Sequence, residues 1–438
     1  MVGAAADAVR CRGVHRNEDL RRQPRPRAPR AARHPERRRR GAVRALVAGG
    51  RPARRSRDGA GGRGPLTAAA LAVLGALYAV LQALRLGLAW RHRPGEGGGA
   101  PSVTVLQPIL SGDPALAETL AVGPDQAHGA RFVWLVDSDD AEGVAVATRL
   151  AKGRSAVRVV EGRPPRDGEN PKTLKLVRGE AHATGEVVAV LDDDTVMPPG
   201  GLERLAAAAK TTGGLATALP TWGRAPRTAS EALVAGFVDG QGASAYLAMA
   251  RLGRTRTING MAYAADARAL RRAGGFAAMG HAVTDDWAIA RLFESAGLPL
   301  LQTAVPARVA VTVAGPRQAV RLLRRWTIFA HRYVGANLDA AMALLVLLPA
   351  VLPLAGLILA LVSGPLAAGL WLLLLAGRAA LHRRLVRGIG GAGTAPLWAV
   401  VAAELALPLL SGLALWRPSR IRWRTRRMRL DPDGIRYE

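Results

Sequence analysis

The stretch EVVAVLDDDT (Glu186–Thr195) sets five apolar residues in a row against three consecutive aspartates. A short unbroken apolar run closed by acidic or turn residues reads as a strand buried on both faces. SVTVLQPIL, ARFVWLVDS and SAVRVVEG repeat the pattern upstream, with helical stretches between several of these runs. That alternation predicts an α/β domain, expected over residues 102–315. In open α/β sheets ligands bind beyond the carboxyl ends of the strands, which is where the aspartates fall.

Three acidic clusters carry the chemistry: Asp137-Ser138-Asp139-Asp140, Asp192-Asp193-Asp194 and Thr284-Asp285-Asp286. Adjacent carboxylates repel unless a cation or hydrogen-bond donors occupy the site. A hard divalent ion, Mg²⁺ or Mn²⁺, held by one or two carboxylates and completed by phosphate oxygens, answers that need. Asp192 and Asp194, two apart across a strand-end turn, are the candidate pair. The plainer reading is a solvated turn, and for Asp285-Asp286 a helix N-terminus that favours carboxylates. The functional alternative makes one of that last pair a general base.

The charge is lopsided. The chain has 438 residues with a formal charge of +28, and only four of its 61 basic residues are lysine. Nineteen arginines and five acids lie in residues 1–64, a Pro/Gly/Ala-rich extension with no apolar period, expected to be disordered. Its functional reading is a nucleic-acid or lipid-headgroup tail; its bland reading is an unstructured extension or a start site set too far upstream. One cysteine, Cys11, excludes an internal disulfide framework and Cys-rich metal centres.

Apolar segments bracket the α/β domain. Leu66 to Leu84 is free of charge and followed by Arg85, Arg91 and Arg93, which predicts a membrane anchor over residues 65–92. PRQAVRLLRRWTIFAHRYV (316–334) is amphipathic, with Ala319, Leu322, Trp326, Ala330 and Tyr333 on one face, and predicts an interfacial helix. Residues 338–377 read as a hairpin of two spans, followed by a basic loop with Arg378, Arg383, Arg384 and Arg387. Residues 395–416 are apolar but hold Glu404 and Pro408, and residues 417–438 form a basic tail. If all four segments span, both basic termini lie opposite the α/β domain. An interfacial 395–416 instead returns the tail to the domain's side.

Taken in order, VTVLQPILSGDPAL (Val103–Leu116), VDSDD (Val136–Asp140), Asn170-Pro171-Lys172, Asp192 after its apolar strand, Asn259-Gly260-Met261, Gly274-Gly275-Phe276 and Thr284-Asp285-Asp286 resemble a membrane-bound family 2/21-type glycosyltransferase. The resemblance is strongest to ceramide glucosyltransferases and to bacterial enzymes that glycosylate hopanoids, and covers roughly residues 102–326. It implies a GT-A domain between N-terminal and C-terminal transmembrane helices. It further implies an inverting transfer of a hexose from a UDP-sugar to a lipid hydroxyl at the cytoplasmic face, with a divalent metal. Carried onto this chain, the family's roles make Pro108, Asp137, Lys172 and Asp192 donor-nucleotide residues and Asp192 and Asp194 metal ligands. Asp286 becomes the general base beside Asp285, and Arg325-Trp326 the end of a Gln/Arg-x-x-Arg-Trp motif. The chain departs from that motif at Leu322, with Arg321 one residue off.

Two other readings share parts of this pattern. A processive polysaccharide synthase of the cellulose or chitin kind has the same acidic clusters but needs more spans to build a pore. A membrane-anchored nucleic-acid-binding protein would use the arginine tail, yet no aromatic platform accompanies it, so no nucleic-acid partner is expected. Trp222 and Trp326 are candidate wall residues at headgroup depth, and His281 sits in a Gly-rich loop before Asp286.

Overall fold

Strand β4 (Val187–Leu191) is buried at every position, and so is β1 (Val103–Pro108) beside it; in β2 (Arg131–Asp137) only Arg131 is exposed. Strands covered on both faces need apolar side chains in both directions, which is why these runs show no alternation. The computed structural model describes residues 64–92, 98–127, 129–416, 420–431 and 434–438, so the expectations for the arginine-rich extension lie outside the described residues, apart from its last glycine.

With β3 (Val157–Gly162), β5 (Thr195–Val196), β6 (Leu215–Trp222), β7 (Ala262–Asp266) and β8 (Leu300–Val309), these strands form one eight-stranded sheet in the order β3-β2-β1-β4-β7-β6-β8-β5. The first four run parallel; β7 is antiparallel to both β4 and β6, and β6 and β8 are parallel. The ends of β1, β2, β4, β6 and β8 and the start of β7 therefore share one edge. Two apolar clusters fill the two faces, one around Val105, Trp134 and Ala189, the other around Leu135, Tyr263 and Phe293. This is the α/β architecture that the pattern predicted.

Among the described residues four helices are long and apolar enough to cross a membrane: Leu66–Arg91, Ala340–Ser363, Pro365–Gly388 and Leu397–Trp416. In chain order, after the first helix α1 (Gly64–Arg91) come α2 (Leu116–Gln126), α3 (Ala141–Ala151), α4 (Pro171–Glu180), α5 (Gly201–Thr212), α6 (Ala229–Val238), α7 (Gly242–Arg251), α8 (Ala267–Arg272), α9 (Asp285–Ser295) and α10 (Pro316–Ala336). The short α11 (Ala340–Met342) continues through a π-helical stretch into α12 (Leu348–Ser363), and α13 (Pro365–Gly388) and α14 (Leu397–Trp416) follow. Leu361, Val362, Leu366 and Leu373 are exposed around the α12–α13 tip, as lipid-facing side chains would be.

The structure differs from the sequence reading at three places. Arg378, Arg383, Arg384 and Arg387 are not a loop: arginine is a good helix former, and α13 continues to Gly388 before a glycine-rich break. Residues beyond Trp416 are not simply a tail. Arg420–Trp423, Arg426–Asp431 and Gly434–Tyr437 form β9, β10 and β11 of an antiparallel sheet, whose buried face carries Ile421, Met428, Leu430 and Ile435. On α10 the buried residues are Ala319, Leu323, Thr327 and Ile328, and Ala330 is exposed, because the helix packs on α6 and α14 as well as on this small sheet.

Helix α14 meets the α/β domain at its start and α10 with the C-terminal sheet at its end. Before its first turn Thr394 Oγ1 donates to the Arg224 carbonyl at 2.7 Å, and Gly236 lies so close that a Cβ there would sit 2.4 Å from the Ala399 carbonyl oxygen. Near its last turn Ala414 packs with Ile328 and Ile421. Midway, Glu404 is buried and accepts from Arg378, from Tyr78 Oη at 2.9 Å and from Gln241 Nε2 at 2.9 Å. One carboxylate thus joins α1, α13, α14 and the segment before α7. Removing one partner of a buried ion pair strands the other charge, at a cost of about 3–5 kcal/mol. Glu404→Ala is expected to lower the thermal unfolding midpoint in detergent sharply, and Glu404→Gln combined with Arg378→Met to recover most of the loss.

Candidate active site

Asp137 ends β2 and is fully buried, with its carboxylate 3.0 Å from Lys175 Nζ and 3.7 Å from Arg178. Lys175 also donates to the Ile109 carbonyl at 2.6 Å, which fixes the chain leaving β1 at Pro108 against the end of β2. Burial works against the Lys175 ammonium and lowers its pKa, with Asp137 opposing. Asp140 caps α3 through the Gly143 N–H and accepts from the Ser111 N–H at 2.8 Å, so that acid is structural.

The Asn170-Pro171-Lys172 motif is a helix start. Asn170 Oδ1 accepts from the N–H groups of Lys172 and Thr173, and Pro171 occupies the first turn, where no N–H is needed. Lys172 Nζ then lies 2.7 Å from Asp192, 2.9 Å from Asp285 and 2.6 Å from the Gly260 carbonyl. Burial works against this ammonium, but Asp192 and Asp285 outweigh it and hold its pKa well above the usual lysine range. Its donors are spent on the protein, so Lys172 joins two acidic clusters instead of presenting a free charge.

Asp192 follows β4 directly, and its carboxyl is pushed up to about 7 by burial and by Asp194 and Asp285, against the pull of Lys172. Asp193 turns the other way, accepting from the Leu110 N–H at 2.8 Å. Asp194 remains partly exposed beside it. Among the described residues no group of three or more His, Cys, Asp or Glu side chains converges on one point. Two partly exposed carboxylates, Asp192 and Asp194, suit an ion whose remaining ligands come from phosphate and water, so the donor set fits a divalent cation bound together with its substrate.

Asp286 opens α9, and its Oδ1 accepts from the Trp287 N–H at 2.7 Å. Burial and Asp285 push its carboxyl up to about 7, with the Trp287 N–H pulling the other way. Gly260 makes this position possible, since a Cβ on residue 260 would lie 2.9 Å from the Asp286 Cβ. Asp286 borders a cavity of about 420 Å³, whose walls include Tyr246, Trp287, Trp326 and Phe329 from the domain and Val346 and Leu407 from the apolar helices.

Arg325 on α10 lies in the field of Asp194 and Asp192; burial lowers its pKa and Asp194 raises it. Trp326 lines the cavity and stacks on Phe237 with ring centroids 6.0 Å apart. Leu322 packs into the apolar cluster around Trp222, and Arg321 is exposed one position away. Trp222 is fully buried core, not a wall at headgroup depth. His281 is exposed and hydrogen-bonds the Gly168 carbonyl at 2.7 Å.

Two residues absent from the sequence reading reach the same edge. The β9–β10 turn inserts Arg424 against Asp193, with contacts at 2.5 and 2.6 Å, against Asp194 at 3.4 Å and against the Leu110 carbonyl. Arg426 bridges Asp137 and Asp139, at 2.9 Å each. The alternation in RIRWRTRRMRLD was a strand signal, obscured because its outward positions are nearly all arginine.

The family model described as glycosyl transferase family 21 matches residues 67–436. No curated protein matches. Among solved structures, the chain is similar to a mannosyltransferase from Pyrobaculum calidifontis in complex with GDP-Man and Mn²⁺, at 21% identity over 78% of this chain and 99% of that one, with a TM-score of 0.43. It is also similar to glucosyl-3-phosphoglycerate synthase from Mycobacterium tuberculosis in complex with Mn²⁺, UDP and phosphoglyceric acid, at 17% identity over 57% of this chain and 86% of that one, with a TM-score of 0.36.

The contact between Gly260 and Asp286 is open to test. Gly260→Ala has to displace Asp286 from its place in the cavity wall, and a misplacement of about 1 Å at an active site can cost 10²-fold in rate. Turnover of this variant is expected to fall roughly ten- to a hundredfold, while its unfolding midpoint stays near that of the parent chain.

Proposed function

The chain belongs to glycosyltransferase family 21, and on that premise we propose that it transfers a hexose from a UDP-sugar to the hydroxyl of a membrane lipid, with inversion at the anomeric carbon. The observation that carries the acceptor assignment is the cavity lined both by Asp286 and by Val346, Ala350 and Leu407 of the apolar helices. A ceramide- or hopanoid-like lipid extracted into water loses about 0.8 kcal/mol per CH₂. An acceptor hydroxyl delivered sideways from the bilayer avoids that cost.

In this reading Asp286 takes the proton of the acceptor hydroxyl. The acceptor oxygen forms a bond to the anomeric carbon as the carbon–oxygen bond to the diphosphate breaks, and UDP leaves on the opposite side. A single displacement inverts the centre and needs no protein nucleophile. Asp192 and Asp194 would hold a divalent ion, which would neutralise charge developing on the departing diphosphate. Arg325 adds a guanidinium to the same region, and Lys172 is a positioning residue that sets Asp192 and Asp285 relative to each other. Asp137 and Pro108 end β2 and β1 at the sheet edge where the nucleotide would lie, and Trp326 lines the cavity on the acceptor side.

For the membrane arrangement we infer that α1 and the α12–α13 hairpin cross the bilayer while α14 lies along the interface. Its support is sidedness: a crossing α14 would carry β9–β11 to the face opposite the carboxylates that Arg424 and Arg426 bind. The positive-inside rule then puts the α/β domain on the cytoplasmic side.

Lipid extracts of cells with and without the protein, supplied with a panel of UDP-sugars and read by mass spectrometry, test the reaction. A new glycolipid is expected, and a polymer would point to a processive synthase. Asp286→Asn should cut transfer by about 10²–10⁴-fold while donor affinity stays nearly constant. The base works as its carboxylate, and its raised pKa means that this form prevails only above about 7. The rate should therefore fall as pH drops through that value, and the acid limb should be shallower in the residual activity of Asp286→Asn, where Asp192 still titrates in that range. Donor affinity should depend on Mn²⁺ in the parent chain and lose that dependence in Asp192→Ala.

A further inference from the structure

The β9–β11 sheet packs over the carboxyl-end edge of the large sheet and touches two walls of that edge. On one wall are Gly112, whose Cβ would be 3.3 Å from Thr425, and Asp193 with Asp194. On the other are Asp137, Asp139 and the 163–170 loop, where the Gly168 N–H donates to the Ile435 carbonyl at 2.6 Å and Tyr437 Oη to the Glu169 carbonyl at 2.9 Å. The sheet has its own apolar seat, with Ile421, Met428 and Ile435 against Ile328 and Ala414. The turn that carries the two arginines is thus fixed from several directions.

Charge pairing shows what the turn contributes. Asp137, Asp139, Asp192, Asp193 and Asp194 meet three cations from the α/β domain, Lys172, Lys175 and Arg178, and two from the turn. Without the turn, Asp139, Asp193 and Asp194 have no cation at ion-pair distance among the described residues. A nucleoside diphosphate brings several negative charges of its own and would enter a crevice lined by uncompensated carboxylates. A guanidinium is suited to the opposite task, since its fork can serve a carboxylate and a phosphate oxygen together. Arg426 already leaves its Nε–H without an acceptor.

We propose that the C-terminal sheet completes the donor site, with Arg424 and Arg426 receiving the charge of a bound nucleoside diphosphate across the crevice from Asp137 and Asp192–Asp194; this rests on the donor reading above. Arg426 pairs with Asp137, which the resemblance assigns to the donor nucleotide, and Arg424 with Asp194, which it assigns to the metal, and the segment that brings them packs against the domain. Arg424, the one non-glycine residue with positive φ among the described residues, at 48°, sits at the apex of the turn.

The test is calorimetric titration of the full chain in detergent with UDP and, in parallel, GDP, each with Mn²⁺ and with EDTA. Arg426→Gln is the first variant, because Lys175 and Arg178 remain as partners of Asp137 and the fold should survive. It should weaken nucleotide binding at least about tenfold, with an unchanged unfolding midpoint. Arg426→Lys should restore much of the affinity, a rescue that a purely structural role at unchanged stability would not give. A chain ending at Trp416 should lose binding altogether. Tighter binding in Arg426→Gln and in the truncated chain would overturn the proposal and identify the turn as a plug that competes with the donor; unchanged binding would overturn it as well. A parent chain that binds neither nucleotide would overturn the donor reading itself.

Discussion

The Lys172 ammonium is the point on which the site depends. It is buried, it lies within 3 Å of Asp192 and Asp285, and its third contact is the Gly260 carbonyl. The strand-end aspartates and the helix-start aspartates belong to elements far apart in sequence, and each cluster alone would repel itself. One shared cation lets them approach and sets their separation. The raised proton affinities of Asp192 and Asp286 come first from burial and then from the neighbouring carboxylates, which the protein's own cations do not fully offset.

The parallel half of the sheet was legible in sequence because its strands are covered on both faces and so read as unbroken apolar runs. Two of the acidic clusters were legible for a related reason: at a buried strand end, charge stands out against its neighbours. Asn170-Pro171-Lys172 was recognisable as a motif, but only the structure separates its parts into a cap, a first-turn proline and a bridging cation. Lys175 passed unnoticed, since nothing in KTLKL distinguishes a fully buried lysine from a solvated one. Arg424 and Arg426 were hidden more deeply. They stand among many arginines, and their meaning comes from contacts with residues more than two hundred positions away.

Membrane attachment and catalysis are not built from separate parts. Glu404 and Pro408 looked like obstacles to an apolar span, yet the buried carboxylate has Arg378, Tyr78 and Gln241 as partners. Helix α14 consequently rests on α6 and α10, and it walls the same cavity that Asp286 enters. The excess positive charge divides accordingly. Part of it lies in the extension outside the described residues, and part lines apolar helices, while two arginines near the C-terminus sit among the acids at the strand ends.

The Asn170 side chain has a consequence of its own. Its oxygen caps α4, and its nitrogen donates to the Ala282 and Val283 carbonyls at 3.1 Å each, just before Thr284-Asp285-Asp286. The 163–170 loop, which also touches the C-terminal strands, therefore cannot shift without either uncapping α4 or pulling the segment that carries Asp286. The two halves of the site are geared together through one amide group, so that a displacement on one side is transmitted mechanically to the other.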